Sequence, residues 1–274
     1  MEEERALRLG HITYSNCFPV HAGILDGGLG AGLSVVEGVP SELNGMLDRG
    51  EIDVAPSSSI EFARHADEYG IMPELVIGSR GPVRSILFLA RRPPESLDRA
   101  RVAIPTASAT SVVLLKVLLR TRWGVEPAFH WFDQARDDPF AAGADAALFI
   151  GDVALRGGLH PGLPFRFDLG QVWWEQTGLP FAFAVWQVAG GSPDALRRLH
   201  RTLLASREYG ARNRAELAVR WGPHFGFEPP FLERYWGDLS FELDPSMIEG
   251  LRAFYALAAE IGEIPRVPEL RWAV

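Results

Sequence analysis

Short apolar runs rich in β-branched residues alternate with helical stretches along the first ninety residues. The runs LRLGHITY, LSVVEGV and IDVAPSS predict strands, and PSELNGMLDRGE predicts a helix that begins at Pro40. A capping box of Ser58 and Glu61 predicts a second helix over SSIEFARHADEYG. The runs ELVIGS and SILFLAR then predict two further strands. Strands joined by helical crossovers are typical of a mostly parallel sheet.

After Pro93 and Pro94 the same α/β pattern begins again. RVAIP predicts a strand, and SATSVVLLKVLLRTRWG predicts a helix that is apolar on most faces. AFHWFD, ADAALFIG and PFAFAVWQVA predict strands, with short helices around DPFAAG and DVALRGG and a longer helix over QVWWEQTG. From Ser192 onward the pattern is mainly helical, because Ser192-Pro193 and Asp244-Pro245 each place a capping residue before proline.

This order predicts two α/β lobes joined by two crossover strands. The long apolar strands SILFLAR and PFAFAVWQV bracket the middle segment, so the simplest architecture has them cross between the lobes. We expect lobe 1 to comprise residues 1–90 and 187–274, including the C-terminal helices, and lobe 2 to comprise residues 91–186. Ligands of such folds bind in the crevice beyond the carboxyl ends of the strands, which predicts a cleft between the lobes.

Composition narrows the choice of partner. The chain of 274 residues is 47% hydrophobic and 23% charged, as an ordinary soluble protein is. A formal net charge of −8 and a pI near 5.4 argue against nucleic acid or an anionic membrane surface, but allow a small anionic ligand. The acidic N-terminal stretch lacks an apolar core, and no run approaches about 18 apolar residues, so we expect a cytoplasmic protein without membrane contact.

The common catalytic signatures are missing from the sequence. It contains no phosphate-binding G-x-x-x-x-G-K-[ST] loop, no G-x-S-x-G elbow and no H-E-x-x-H zinc motif. The seven histidines lack metal-ligand spacing, and Cys17 is the single cysteine, so neither a disulfide nor a structural zinc site is expected. His11 is interpreted as a core or surface residue. These absences disfavour metal and nucleotide chemistry.

What remains is a set of polar segments at predicted strand ends. The segment RVAIPTASATS is the richest, with four hydroxyls in six positions of what we call the hydroxyl turn, residues 106–111. Helix capping explains one or two of these hydroxyls, and anion binding at the helix N-terminus would explain the rest. The candidate binding residues are Asn16 after the first strand, Ser57 and Ser58 after the third, Ser85 before SILFLAR, Thr106, Ser108, Thr110 and Ser111 in the hydroxyl turn, and Gly151 and Asp152 after ADAALFI.

Each segment also has a plain structural interpretation as a turn or a cap. Taken together, we expect three segments from lobe 1 and two from lobe 2 to face the predicted cleft. Their amide, hydroxyl and backbone N–H groups suit the carboxylates and hydroxyls of a small organic acid. None supplies a strong general base, so a binding protein without catalysis is an equal alternative at this point.

Six segments in order resemble one known family. GHITYSNCFPV, GVPSELNGMLDRGEIDVAPSSSIEFARHADE, GPVRSILF, ATSVVLLKVLL, LFIGDVAL and QTGLPFAFAVW are similar to the MqnA family, the chorismate dehydratases of the futalosine route to menaquinone. The resemblance runs from about Leu9 to Trp186, with a compatible helical remainder.

The resemblance implies a type II periplasmic-binding-protein fold, used inside the cell as an enzyme. It implies that chorismate loses water to give 3-[(1-carboxyvinyl)oxy]benzoate without a metal or organic cofactor, and that Asn16 and Ser85 are catalytic. Ser15 stands where the family usually has leucine. Two alternatives stay open: the sister enzyme 1,4-dihydroxy-6-naphthoate synthase, and a cytosolic organic-acid-binding protein.

Overall fold

The alternating pattern folds into two mixed β-sheets with helices between the strands. The computed structural model describes residues 6–156 and 159–274. Along those residues the elements follow in the order β1 (Arg8–Ile12), α1 (Phe18–Leu25), β2 (Ser34–Gly38), α2 (Pro40–Asp48), β3 (Val54–Ser58), α3 (Ser59–Arg64), β4 (Gly70–Ser79), β5 (Ile86–Ala90), β6 (Arg101–Pro105), α4 (Ala109–Thr121), β7 (Ala128–Phe132), β8 (Ala146–Ile150), α5 (Gly151–Leu155), β9 (Phe165–Asp168), α6 (Leu169–Thr177), β10 (Phe181–Val188), α7 (Pro193–Arg212), α8 (Arg214–Phe225), α9 (Pro229–Asp238), β11 (Leu239–Ser240) and α10 (Pro245–Glu260).

The first sheet has six strands in the order β11-β4-β10-β3-β1-β2. β1 is parallel to both β2 and β3, whereas β10 is antiparallel to β3, with Val185 opposite Ser57. The carboxyl ends of β1 and β3 therefore lie side by side at one edge of the sheet. Both strands are largely buried, as their apolar sequences require.

The second sheet has five strands in the order β7-β6-β8-β5-β9. β6 is parallel to β7 and β8, and β5 is antiparallel to β8 and β9. Each sheet thus combines parallel crossover strands with an antiparallel strand, so the sheets are mixed rather than mostly parallel. β9 and β11 had no sequence prediction.

The chain forms two compact units whose limits differ from the predicted lobes. Unit 1 comprises Met1–Ile77, Ala184–Asp244 and Pro268–Val274, and unit 2 comprises Gly78–Phe183 and Pro245–Val267. The limits fall within β4 and β10, so β4, and not SILFLAR, is the first strand that carries the chain across. SILFLAR is β5, which pairs along its whole length with β8 inside unit 2.

Close helix packing in unit 1 determines where the segment after β1 can lie. α7 runs against α1, and a Cβ atom added to Gly210 would lie 2.1 Å from the backbone oxygen of Pro19. A Cβ atom added to Gly23 would lie 2.7 Å from the Cα atom of Ser206. The two helices approach this closely because glycine carries no side chain at either contact.

Local predictions were confirmed at some helix ends and wrong at others. Ser192 caps α7 by accepting the N–H of Ala195, as the Ser-Pro pair predicted. The capping box was wrong, because the side chain of Ser58 makes no cap hydrogen bond and Glu61 pairs with Arg64 at 2.7 Å. DPFAAG forms turns rather than a helix. Part of DVALRGG, residues 157–158, lies outside the described residues.

Candidate functional site

The segment that follows β1 in unit 1 is a tight turn held by backbone hydrogen bonds. The N–H of Cys17 donates to the carbonyl of Tyr14 at 3.2 Å, and α1 begins at the next residue, Phe18. The indole N–H of Trp236 donates to the carbonyl of Ser15 at 2.8 Å. Asn16 lies between these two anchored positions. We call residues 13–17 the Asn16 loop.

Asn16 carries a buried polar atom without a hydrogen-bond partner. Its Oδ1 atom is shielded from solvent, and no donor among residues 6–156 and 159–274 reaches it. A buried acceptor left unsatisfied costs about 1–3 kcal/mol. Proteins keep such atoms where a ligand or water completes the hydrogen bond. The Oδ1 atom therefore has the capacity to accept a hydrogen bond.

Beneath the Asn16 loop lies a buried polar cluster that the sequence analysis missed. His11 Nδ1 and His21 Nδ1 are 2.9 Å apart, and Cys17 Sγ is 3.7 Å from His11 Nδ1. The indole N–H of Trp186 donates to His21 Nε2 at 3.1 Å. Burial lowers the pKa of His11 to about 4 and the pKa of His21 well below 6.5, and it raises the pKa of the Cys17 thiol to about 12. The imidazoles are therefore neutral and the thiol is protonated.

The hydrogen bond from Trp186 determines where the imidazole protons lie. Because His21 Nε2 accepts a proton donor, its own proton must be on Nδ1, which then donates to His11 Nδ1. The proton of His11 is consequently on Nε2, and the lone pair of its Nδ1 accepts the His21 N–H while Cys17 Sγ lies 3.7 Å from the same nitrogen. No sequence signal shows this, since the four residues are separated by up to 175 positions (186 − 11).

The ligand atoms of His11, Cys17 and His21 lie within 4.8 Å of one another, as metal ligands do. A metal on His21 Nδ1 would displace the proton from that nitrogen while Nε2 still faces an indole donor. The ring would then have to become an anion in a buried site. Metal-bound imidazoles instead donate their second N–H to an acceptor. The donor set has metal-like spacing, but the orientation of Trp186 favours a hydrogen-bonded chain.

Ser57 and Ser58 lie at the end of β3, beside the end of β1. Ser57 is fully buried and its hydroxyl donates to Asn44 Oδ1 at 2.5 Å. The carbonyl of Ser58 accepts the side-chain amide of Gln187 at 2.9 Å. The hydroxyl proton of Ser57 is therefore already used within unit 1, which leaves its oxygen lone pairs for any other contact.

Ser85 lies in unit 2, at the end of a strained turn before β5. Gly81 and Arg84 have positive φ angles of 95° and 63°, the second of which is uncommon for a residue with a side chain. The carboxylate of Asp168 stabilises the turn by accepting the N–H groups of Val83 and Arg84 at 3.0 and 2.6 Å. The Ser85 hydroxyl donates to the Val83 carbonyl over 3.4 Å, a long and weak hydrogen bond.

Asp168 is a functional candidate that sequence reasoning missed. It also accepts the N–H groups of Gly170 and Gln171 as the N-cap of α6. Burial raises the pKa of its carboxyl, and the four backbone donors act in the opposite direction. The position of aspartate just before an apolar helix was a recognisable capping signal. Its second role, toward the turn before Ser85, depends on pairing of β5 with β9.

The hydroxyl turn contains the N-cap of α4 and further hydroxyl side chains. Ser108 is the N-cap of α4: its oxygen accepts the Ser111 N–H at 3.4 Å, and its hydroxyl donates to Ser111 Oγ at 3.1 Å. Capping thus uses two of the four hydroxyls. Thr106 is exposed at the entrance of the turn, and Thr110 is buried in the first turn of α4.

The structure brings the three unit 2 segments to one edge of the second sheet. β6 and β8 are parallel, so the hydroxyl turn and Gly151-Asp152 follow strands that end at the same edge. The N–H of Gly151 donates to the carbonyl of Ser85 at 2.8 Å. Gln134, which the sequence analysis missed, pairs both ways with the backbone of Ile150, at 2.9 and 3.1 Å.

The predicted division of the polar segments between the lobes was wrong for Ser85. Three segments belong to unit 2, namely those with Ser85, the hydroxyl turn and Gly151-Asp152. Two segments, those with Asn16 and with Ser57 and Ser58, belong to unit 1. The reason is the pairing of β5, which joins the second sheet from its first residue, Ile86, opposite Ile150.

Two mixed α/β units with polar segments at their strand ends define a protein of the periplasmic-binding-protein fold. A protein of known structure from Archaeoglobus fulgidus matches 95% of this chain and 99% of its own, with a TM-score of 0.78 and 20% identity. The periplasmic aliphatic sulphonate binding protein SsuA from Escherichia coli matches 98% of this chain and 91% of its own, with a TM-score of 0.64 and 15% identity. At these identities the likeness establishes the fold and not the function.

The sequence identifies the family within that fold. The menaquinone biosynthesis family model matches residues 7–260, and the chain belongs to this family. The chorismate dehydratase of Thermus thermophilus is 32% identical over 262 residues, which covers 90% of this chain and 93% of that protein. Within the part of the chain that the structure describes, no helix combines the length and the apolar character needed to cross a bilayer.

Proposed function

We propose that this chain is a chorismate dehydratase of menaquinone biosynthesis, converting chorismate into 3-[(1-carboxyvinyl)oxy]benzoate and water. The observation that carries the proposal is the 32% identity to the Thermus thermophilus chorismate dehydratase across nine-tenths of the chain. The site chemistry agrees with it. The polar segments supply amides, hydroxyls and backbone N–H groups, which suit a dicarboxylate substrate.

The reaction removes the hydrogen on C3 and the hydroxyl on C4 of a cyclohexadiene ring. The C3–H electron pair forms the new ring double bond as the C4–O bond breaks, and the released hydroxide combines with the proton to give water. Because the product ring is aromatic, the overall step is strongly downhill. The protein has mainly to select a reactive conformer, position a proton acceptor and exclude bulk water.

We assign the proton acceptor to the substrate itself. The enolpyruvyl carboxylate is tethered to C3 through the ether oxygen, which places it near the C3 hydrogen at high effective concentration. The Asn16 amide donates to this carboxylate through Nδ2, and Oδ1 accepts the O–H that forms when the proton arrives. This role uses the buried Oδ1 atom, which no described residue satisfies.

Ser85 is assigned a contact to a substrate carboxylate. Its hydroxyl gives up only the weak 3.4 Å hydrogen bond to Val83 when it turns to a substrate. The N–H groups of Val83 and Arg84 donate to the Asp168 carboxylate, and these hydrogen bonds hold the backbone in position while the Ser85 hydroxyl reorients. Neither residue has to ionise, in keeping with a reaction in which the substrate supplies the base.

The remaining polar segments are assigned to substrate binding. The N-terminus of α4 and the hydroxyl turn hold the ring carboxylate, for which the helix dipole contributes about 1–2 kcal/mol in a partly buried geometry. Ser57, Ser58, Gly151 and Asp152 complete the set. Asp152 is assigned to a substrate hydroxyl, because a carboxylate side chain repels the substrate's own carboxylates.

We place the reaction in the futalosine route and in the cytoplasm. The family model supports menaquinone biosynthesis. Chorismate carries two carboxylates, and such an ion crosses a lipid bilayer poorly because its charges lose their hydration. An enzyme that consumes it is expected in the compartment where it is made. Cell fractionation followed by an activity assay tests the location.

One assay tests the activity. Purified protein is incubated with chorismate, and the products are followed by ultraviolet absorbance and mass spectrometry for the loss of one water and the gain of a benzoate ring. Unchanged chorismate with saturable binding would instead support an organic-acid-binding protein. Turnover of a cyclic futalosine derivative, without turnover of chorismate, would support the sister enzyme.

A further inference from the structure

The two residues on either side of Asn16 are both tied to the core of unit 1. On one side, the carbonyl of Ser15 accepts the indole N–H of Trp236 at 2.8 Å. On the other side, the Cys17 side chain lies fully buried, with Sγ 3.7 Å from His11 Nδ1. The Asn16 side chain therefore projects from a backbone that is held at both ends.

The second of these anchors continues as a chain of polar groups. Cys17 contacts His11, His11 Nδ1 lies 2.9 Å from His21 Nδ1, and His21 Nε2 accepts the Trp186 N–H at 3.1 Å. The indole has one donor and no acceptor, so the direction of the hydrogen bonds from Trp186 to His21 and from His21 to His11 follows from it. The rings also pack on one another, with centroids 5.0 Å apart for His11 and His21 and 5.6 Å apart for His21 and Trp186.

We propose that Trp186, His21, His11 and Cys17 are positioning residues, whose directed hydrogen bonds hold the Asn16 amide in its reactive orientation. The proposal rests on the function proposed above for Asn16. None of the four touches the reacting atoms in this account. They act by restricting the Asn16 loop, since a misplacement of about 1 Å at a reacting group costs roughly 100-fold in rate.

Apolar side chains at these positions would stabilise unit 1 as well as this polar cluster does. Buried polar groups are costly unless each finds a partner, and a satisfied network selects one arrangement of its members. Here the cluster includes Cys17, the residue next to Asn16, and His11 of β1, the strand that leads into the loop. A role confined to folding does not require that placement, whereas a role in orienting Asn16 does.

The test combines two substitutions in the cluster with one in the Asn16 loop. We expect Trp186→Phe and Cys17→Ala each to lower kcat by about tenfold or more while KM changes by less than about twofold. In an Asn16→Ala background, neither substitution should lower the single-turnover rate further, because residues acting through Asn16 are not additive with its removal. Trp221→Phe is the matched control: it removes a partly buried indole hydrogen bond to Asp26 at 3.0 Å in the same unit, and kcat should stay unchanged.

The proposal is overturned if both cluster variants keep full kcat, or if they lower the rate equally with and without Asn16. Should Trp186→Phe fail to fold, Cys17→Ala decides. Nitrogen NMR gives a separate reading: His21 should carry its proton on Nδ1 in the native protein. A proton on Nε2 would contradict the hydrogen-bond direction. If Asn16→Ala alone keeps full turnover, the proposed role of Asn16 has failed instead.

Discussion

The N–H of Gly151 donates a 2.8 Å hydrogen bond to the carbonyl of Ser85. This contact joins two polar segments that are 66 positions apart (151 − 85), and it follows from the antiparallel pairing of Ile86 with Ile150 in the next positions of β5 and β8. The turn that carries Ser85 is thus supported from two directions, by Gly151 through the backbone and by Asp168 through its carboxylate. Substitutions at such supports should affect catalysis without removing a reacting group.

Asp168→Asn is expected to lower kcat by about ten- to 100-fold, because loosening a catalytic turn costs this much when geometry matters. The asparagine NH₂ group would face backbone N–H donors that the carboxylate now accepts, so the turn before Ser85 must shift. Steady-state kinetics with chorismate measure the effect.

Asp138→Asn is the matched control for this substitution. Asp138 accepts the N–H groups of Phe140 and Ala141 at 2.9 and 3.1 Å in another loop of unit 2. The Asp138→Asn variant should lose a comparable contact with the backbone, and its kcat should stay unchanged. Equal kinetic effects of the two variants would remove the case for a special role of Asp168.

Asn16→Asp should weaken turnover more than it weakens folding. The new carboxylate would lie beside the enolpyruvyl carboxylate of the substrate, and like charges in a site of low polarity repel strongly. We expect kcat/KM to fall by about 100-fold or more, the usual loss when a group that stabilises the transition state is replaced. Thermal unfolding measured alongside the kinetics separates the two effects.

Asn213→Ala serves as the comparison for Asn16, since the Asn213 amide donates to the Tyr209 carbonyl at the end of α7. Full activity in both Asn16→Asp and Asn213→Ala would show that the role assigned to Asn16 is mistaken.

Ser108→Ala should destabilise the protein by about 1 kcal/mol, as loss of an N-cap usually does. Ser192→Ala removes the equivalent cap of α7 and should cost a similar amount. Only Ser108→Ala is expected to raise the KM for chorismate, by about three- to tenfold, because about 1 kcal/mol of binding energy corresponds to a factor of five. Denaturant unfolding and initial-rate measurements on both variants check this. A KM that rises equally in both would point to a general effect of stability.

Acid stability should depend on Asp26. Its carboxylate is 7% exposed and accepts hydrogen bonds from Arg220, Trp221 and Tyr209. Burial acts to raise the pKa of this carboxyl, but the three donors together lower the pKa below its usual 3.8. A lowered pKa in the folded state means that the stabilisation is complete above pH 3.8 and is lost as the pH falls through the folded-state pKa.

At pH 7, Asp26→Asn is expected to reduce the free energy of unfolding by about 2 kcal/mol, the usual range for hydrogen bonds to a charged group. The difference in the free energy of unfolding between Asp26→Asn and the native protein should shrink below pH 3.8. Unfolding by denaturant at pH 7 and at pH 3 measures it. Asp194→Asn removes an exposed ion pair with Arg197, so the free energy of unfolding should stay unchanged at both pH values. A difference that stays constant with pH would refute the assignment.

Parts of the molecule could be predicted from local sequence, and other parts could not. The runs RVAIP and ADAALFI became β6 and β8 because each apolar run is too short for a typical helix and is bounded by turn residues, as a buried strand is. Ser58 shows the opposite case. Its spacing to Glu61 matched a capping box, yet pairing of β3 with β10 and the contact of Glu61 with Arg64 left that box unformed. Local signals fail where a tertiary contact offers the same atoms a different partner.

The sequence by itself determined the order of strands and helices, the polar segments at strand ends and the family, because periodicity and extended similarity are properties of the chain. Only the tertiary structure decided that Ser85 lies in the second sheet, that Asp168 supports its turn, and that His11, Cys17, His21 and Trp186 meet beneath Asn16. The physical reason is that hydrogen bonds between side chains depend on separations of a few ångströms. Trp186 and His21 come within 3.1 Å although 165 positions separate them.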